Sequence, residues 1–151
     1  MHIETDDLTR PEVLALLEEH LANMYELSPP ESVHALDVSK LRAPDVTFWT
    51  IWDEGRLVGC GALKELAKDR GEVKSMRTPA ALRRQGAGRA MLEHIIAVAR
   101  ERGYRRLSLE TGSMDAFRPA QKLYERYGFS YGPPFDDYVE DPNSVFMHLE
   151  L

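Results

Sequence analysis

The sequence predicts an α+β domain: a mostly antiparallel mixed central sheet of about six to seven strands, flanked by about four helices, with one β-α-β crossover at 72–110. Three observations predict it. Strand-like runs at 47–52, 56–66 and 71–76 are joined by short turns, as antiparallel hairpins require. The clearest helical periodicity, at 86–102, lies between the third of these runs and another at 106–110, so those two strands are expected to be parallel. Two short apolar runs, 129–131 and 144–149, then close the chain as strands.

In chain order, residues 1–5 read as a first strand. Thr9 or Asp7 is placed to cap a helix from Pro11 to Tyr25, with proline in its first turn. Its apolar residues Leu14, Leu17, Leu21 and Met24 recur at helical spacing. The run Ser28-Pro29-Pro30 ends it, and a weaker helix is expected from Ser32 to Leu41. The hairpin at 47–66 turns at Asp53-Glu54-Gly55, with Gly55 at a position that tolerates positive φ. The helix at 86–102 carries the stripe Ala87, Met91, Ile95, Val98 and Arg102, widened by Leu92, Ile96 and Ala99, and Gly103 is its natural stop. Asp115 or Ser113 is expected to cap a last helix to Tyr127, which Gly128 ends. Chain length and a 43% hydrophobic content suit a single domain spanning 1–151.

Several function classes are disfavoured. No apolar run approaches the ~20 residues needed to cross a bilayer. The acidic start, Met1 to Arg10, lacks the apolar core of a secretory signal. Cys60 is the one cysteine, so no internal disulfide is possible and a cytoplasmic location is expected. A net charge of -6 argues against a duplex-binding protein. The histidines show no H-x-x-x-H or H-E-x-x-H spacing, so no metal site is read. No G-x-S-x-G elbow exists. Cys60, in an apolar strand, reads as a buried structural thiol, and Phe48, Trp49 and Trp52 as core and sheet surface.

Charge is unevenly spread. Residues 64–106 hold 12 Lys/Arg against five Asp/Glu, so this stretch is positive in a negative chain. Arg100, Arg102, Arg105 and Arg106 suit a solvated helix end. Arg83, Arg84 and Arg89 bracket Gly86 and Gly88 instead, between a strand and a long helix. A helix N-terminus presents free N–H groups, and glycine lets an anion approach them. The combination describes a phosphate or pyrophosphate cradle; the alternative is a tight packing turn. Neither the P-loop pattern nor G-x-G-x-x-G is present.

The run Arg83-x-x-Gly86-x-Gly88 resembles the acetyl-CoA signature of the GNAT superfamily of N-acetyltransferases. A second block, Ala120-x-x-Leu123-Tyr124-x-x-x-Gly128-Phe129, is similar to another segment of that family, and the element order resembles its fold across nearly the whole chain. The tail from Gly132 to Met147 resembles a bacterial subgroup of small acetyltransferases. The resemblance implies a GNAT-like fold with acetyl-CoA as acyl donor and no metal. It implies that backbone N–H groups of Arg84, Gln85, Gly86, Ala87, Gly88 and Arg89, beside Arg83, hold the pyrophosphate. It places the pantetheine arm along Met76, Arg77 and Thr78, near Ala120, in a V between two splayed strands, with the Met76 amide as oxyanion donor. Many members carry Asn where this chain has Phe117, which is expected to pack on the arm instead.

Direct transfer to an amine needs a base and a proton donor for the departing sulfur, and no protein nucleophile. Tyr124 is the candidate acid, although its helical stripe (Ala116, Ala120, Leu123, Tyr124, Tyr127) also suits a core residue. Glu72 is the candidate base; the competing reading is a surface acid paired with Lys74 or Lys64. Glu110, on the neighbouring strand, is the second candidate. Tyr25, His34, Tyr138 and Asp136 are candidate acceptor-pocket residues. The expected partners are a small-molecule or peptide amine and, as in many relatives, a second copy of the chain; nucleic acid and membrane are not expected. Two rival functions stand beside this: a non-catalytic CoA-binding sensor, and an acyltransferase with another acyl-CoA or an alcohol acceptor.

Overall fold

The computed structural model describes residues 1–34, 37–83 and 86–151, with Ala80 described in its backbone alone. Among the described residues, seven strands form one sheet: β1 His2–Thr5, β2 Val46–Asp53, β3 Arg56–Ala67, β4 Arg70–Arg77, β5 Arg106–Gly112, β6 Ser130–Gly132 and β7 Ser144–Glu150. The α-helices described are α1 Pro11–Leu27, α2 Val38–Leu41, α3 Ala87–Glu101 and α4 Arg118–Arg126. The strand order is β1-β2-β3-β4-β5-β7-β6. The β4–β5 pair is parallel and the other pairs are antiparallel. The parallel pair is the one joined through α3, as a crossover demands.

Strand alternation sorts the core into two layers. Trp49, Ile51, Leu63 and Val73 face α3 and α4, where they pack with Met91, Leu92, Ile95 and Tyr124. Phe48, Cys60 and Ala62 face α1 and α2, with Leu8, Val13, Leu16, Leu17 and Leu41. The α3 stripe matches the periodicity: Ala87, Met91, Leu92, Ile95, Ile96 and Ala99 are buried. It lies close because β3 offers Gly61 beneath it; a Cβ there would sit 2.6 Å from Met91 Cγ.

The helix ends depart from the sequence expectation. Arg10, in extended conformation, is the α1 N-cap, and its side chain makes no capping hydrogen bond among the described residues. Asp7 instead accepts from the Thr9 N–H and hydroxyl, closing its own turn. The buried face of α1 is Val13, Leu16 and Leu17, rotated from the expected stripe. The helix expected at 32–41 is reduced to α2 after a 3₁₀ turn at Pro30–Ser32. Asp37 accepts from the Lys40 N–H at 2.9 Å, which starts the helix there. Neither Ser113 nor Asp115 caps α4: a 3₁₀ turn at Asp115–Phe117 leads into it, and the Ser113 hydroxyl donates to Pro142 O. The Cys60 thiol is buried and pushed up to about 12 by burial, and donates to Ser75 O.

Candidate functional site

The parallel ladder is short. It pairs Arg70 with Arg106, Gly71 with Leu107 and Glu72 with Ser108, and then stops. Beyond it β4 and β5 diverge, and a cavity of about 800 Å³ opens between them. On the β3 side of β4, Cys60 opposes Arg77 and Ala62 opposes Lys74, so two residues, Ser75 and Met76, face Gly61 alone. This is a β-bulge, which interrupts the ladder where Ser75 and Met76 line the cavity. Ser75 sits there at φ 54, a strained value for serine.

One end of the cavity is the N-terminus of α3. Gly86 is its N-cap at φ 86, a conformation glycine adopts without strain. A Cβ on Gly86 would meet nothing within 4 Å, and one on Gly88 would meet only Leu123 Cδ2 at 3.7 Å. The free amides of this 15-residue helix therefore face open space. Arg83, Gly86, Ala87, Gly88 and Arg89 all line this end, with Leu123 and Arg126 of α4. Arg84 and Gln85 lie outside the described residues. The Arg89 guanidinium is turned aside to Tyr127 and Glu93.

The middle is walled by Met76 and Thr78 on one arm and by Phe117, Ala120 and Tyr124 on the other. Phe117 is held against Gly112, where a Cβ would come within 2.2 Å of its ring. Tyr124 is 7% exposed, and its phenol is pushed up to about 12 by burial, reinforced by the Glu110 charge. Among the described residues its hydroxyl makes no hydrogen bond, although its ring sits in the core beside Phe129.

The other end gathers polar side chains from distant segments. Glu72, 2% exposed, accepts from Lys74 Nζ at 3.0 Å and from the Tyr138 hydroxyl at 2.7 Å. Lys74 Nζ also donates to Tyr138 at 2.9 Å and to His34 O at 3.4 Å. The partner of Glu72 is thus Lys74, two residues along the same strand face, and the pair is buried rather than at the surface. Glu110 lines the cavity from β5, and burial raises its carboxyl above the usual range. Ser32 donates to Asp141 at 2.6 Å and accepts from Asn143 at 3.4 Å, tying an early turn to a late loop.

The structure thus brings together on the cavity wall Glu72, Met76, Arg77, Thr78, Arg83, Gly86, Ala87, Gly88, Arg89, His34, Glu110, Phe117, Ala120 and Tyr124. It does not bring Tyr25 there: at 55% exposure it is on the outer face of α1, while Met24 and Leu27 face inward. Tyr138 stands behind Glu72 and Lys74, stacked edge-on with His34 at 5.0 Å, and does not line the cavity. Asp136 is also off the lining, in a turn at φ 53. Arg77 lines it, but its guanidinium is bound to Asn23 and Glu19 of α1, so its side chain is held away from α3. Sequence reasoning missed His20, Ser75 and Asn143, which no local motif marks, and named Lys74 only as a partner for Glu72.

The acetyltransferase (GNAT) family matches residues 13–129. The chain belongs to the GNAT superfamily of N-acetyltransferases. It is 58% identical over 151 residues to the Bacillus subtilis (strain 168) protein named "Uncharacterized N-acetyltransferase YsnE", covering 100% of both chains. Among solved structures, a Klebsiella pneumoniae protein described as an acyl-CoA N-acyltransferase superposes with a TM-score of 0.79 at 30% identity, covering 99% of this chain and 97% of that one. A GNAT family acetyltransferase of Elizabethkingia anophelis, solved with acetyl-CoA bound, gives a TM-score of 0.67 at 18% identity, covering 99% and 97%. This GNAT chain therefore shares both fold and family with acetyl-transfer enzymes, and its V between β4 and β5 lies where the parallel ladder ends.

Proposed function

We propose that this protein transfers an acetyl group from acetyl-CoA to an amine by direct attack within a ternary complex. The observation that carries the reading is the V itself: an open helix N-terminus at one end, a carboxylate–tyrosine group at the other, and a bulged strand between. The donor fits the residues present. The side-chain-free amides at Gly86 to Gly88 suit a pyrophosphate, with Arg83 adding charge. The bulge at Ser75 and Met76 suits a pantetheine arm, and the Elizabethkingia relative's bound acetyl-CoA supports the choice of donor.

Acetyl-CoA supplies an activated acyl group as a thioester. Glu110 accepts the proton that the amine loses as its nitrogen bonds to the acyl carbon. Its raised pKa brings it nearer the operating pH, where a base works best. The Met76 backbone N–H, which lies at the bulge, stabilises charge on the acyl oxygen. Tyr124 donates a hydrogen bond to the sulfur as the C–S bond breaks; raised to about 12, the phenol keeps its proton. Glu72, already committed to Lys74 and Tyr138, holds the floor of the pocket. Of the two carboxylates, Glu110 therefore takes the base role.

The test is kinetic. Replacing Glu110 by Gln is expected to lower kcat by about 10²–10⁴-fold and to abolish the acidic limb of the pH profile. Acetyl-CoA at 100 times its Kd should still stabilise the variant by about 2.7 kcal/mol. A Glu110→Gln enzyme at full rate places the base elsewhere, with Glu72→Gln the next variant. No stabilisation of the wild type by acetyl-CoA refutes the reading.

A further inference from the structure

The wall between α1 and β4 carries polar atoms that the protein leaves without partners. His20 Nδ1, Ser75 Oγ and Arg77 Nε are all buried and, among the described residues, make no hydrogen bond. All three residues line the same cavity. Native proteins satisfy nearly all buried polar groups, so orphans clustered on one wall point to something that binds there.

The cluster has the chemistry of a carboxylate site. The Arg77 side chain is 9% exposed. Asn23 Oδ1 orients Nη1 at 3.0 Å, while Glu19 takes Nη2 at 3.0 Å through one oxygen. A carboxylate prefers to grip guanidinium with two parallel bonds, and here the Nε half of that edge has no partner among the described residues. Glu19 shows that the position accepts a carboxylate. Its own side chain is 42% exposed, so it can swing into water and leave the edge to a ligand. The Ser75 hydroxyl is a second donor. His20 stays neutral, because burial and the Arg77 charge lower it to about 4, so it supplies one N–H and adds no competing charge.

We propose that Arg77, Ser75 and His20 form the carboxylate subsite of the acceptor, which is then an amine of the amino-acid class rather than a simple alkylamine. The acceptor's carboxylate takes the Nε–Nη2 edge of Arg77 and the Ser75 hydroxyl. Its amine faces Glu110 on the opposite arm of the V, and Met24, Leu27 and Val33 offer the apolar wall for its side chain. The proposal rests on the acetyl-transfer reading above.

The experiment compares each proteinogenic amino acid with the amine it becomes on losing its carboxylate, such as leucine with isopentylamine or phenylalanine with phenethylamine. The expected result is a kcat/KM at least tenfold higher for the amino acid in one or more pairs. Arg77→Gln is expected to bring that ratio near one, and Ser75→Ala to reduce it severalfold while keeping the charge. Glu19→Ala removes the internal competitor and is expected to lower the KM for the amino acid, which a purely structural role for Glu19 does not predict. Thermal stabilisation by acetyl-CoA checks that each variant is folded. If only the decarboxylated amines are acetylated, or the ratio survives in folded Arg77→Gln and Ser75→Ala, the subsite is overturned and acetyl transfer stands. If no member of any pair is acetylated while acetyl-CoA still binds, the subsite is overturned and the amine-transfer reading falls with it.

Discussion

His20 makes the stability of this protein depend on pH in a way that can be isolated. Its imidazole is held on α1 against the cavity wall, where burial and then the Arg77 charge lower it from 6.5 to about 4, with Glu19 opposing. The unfolded chain takes up a proton below 6.5, whereas the folded chain refuses it until about 4. The unfolded state therefore binds more protons across that window, and stability falls as pH falls through it. The whole gap corresponds to about 3 kcal/mol, of which about 2 kcal/mol is lost between pH 7.5 and 5. Glu110 acts in the opposite sense, since a carboxyl raised in the fold favours the folded state as pH drops. The comparison must therefore be between wild type and His20→Gln, which keeps a polar side chain but cannot titrate. Urea unfolding at pH 7.5, 6 and 5 is the assay. The variant is expected to lose about 2 kcal/mol less than wild type on acidification. Equal losses in the two proteins would mean that His20 titrates normally in the fold, and the reasoning would be refuted.

Two further outcomes follow from packing and from the helix terminus. Met91 is fully buried against Gly61, so Met91→Ala is expected to cost about 2–5 kcal/mol in denaturant unfolding. Gly86→Ala has room for its methyl but not the backbone freedom, so at φ 86 it should cost about 1 kcal/mol of stability. If α3 binds the pyrophosphate, its affinity for acetyl-CoA measured by calorimetry should fall as well, and an unchanged Kd would remove Gly86 from the cradle.

Part of the site was legible because its residues are neighbours in sequence. Arg83, Gly86 and Gly88 lie within six positions, so a local strand–glycine–helix pattern sufficed to mark the helix terminus that lines the cavity. A motif marked Tyr124, and a departure from it marked Phe117, and both lie on the cavity wall. The acceptor end was not. Tyr25 was chosen for its chemistry, but the 100° step of a helix turned it outward while Met24 went in. Tyr138 proved to support Glu72 from behind, across 66 positions of chain. The choice between Glu72 and Glu110 needed the partners of each: two committed hydrogen bonds on the first, burial on the second.

Local pattern was enough for the succession of strands, the crossover and the core face of α3, although not for the face that α1 buries. Those follow from periods of 2 and 3.6 residues, which local backbone geometry imposes wherever the chain goes. Tertiary packing alone set where the β4–β5 ladder stops, that Glu72 is tied to Lys74 and Tyr138, and that His20, Ser75 and Arg77 share one wall with polar atoms left unpartnered among the described residues. These depend on contacts between segments far apart in the chain, such as Ser32 with Asp141, 109 positions on. No local propensity encodes such a meeting; it appears only once packing has brought the layers together.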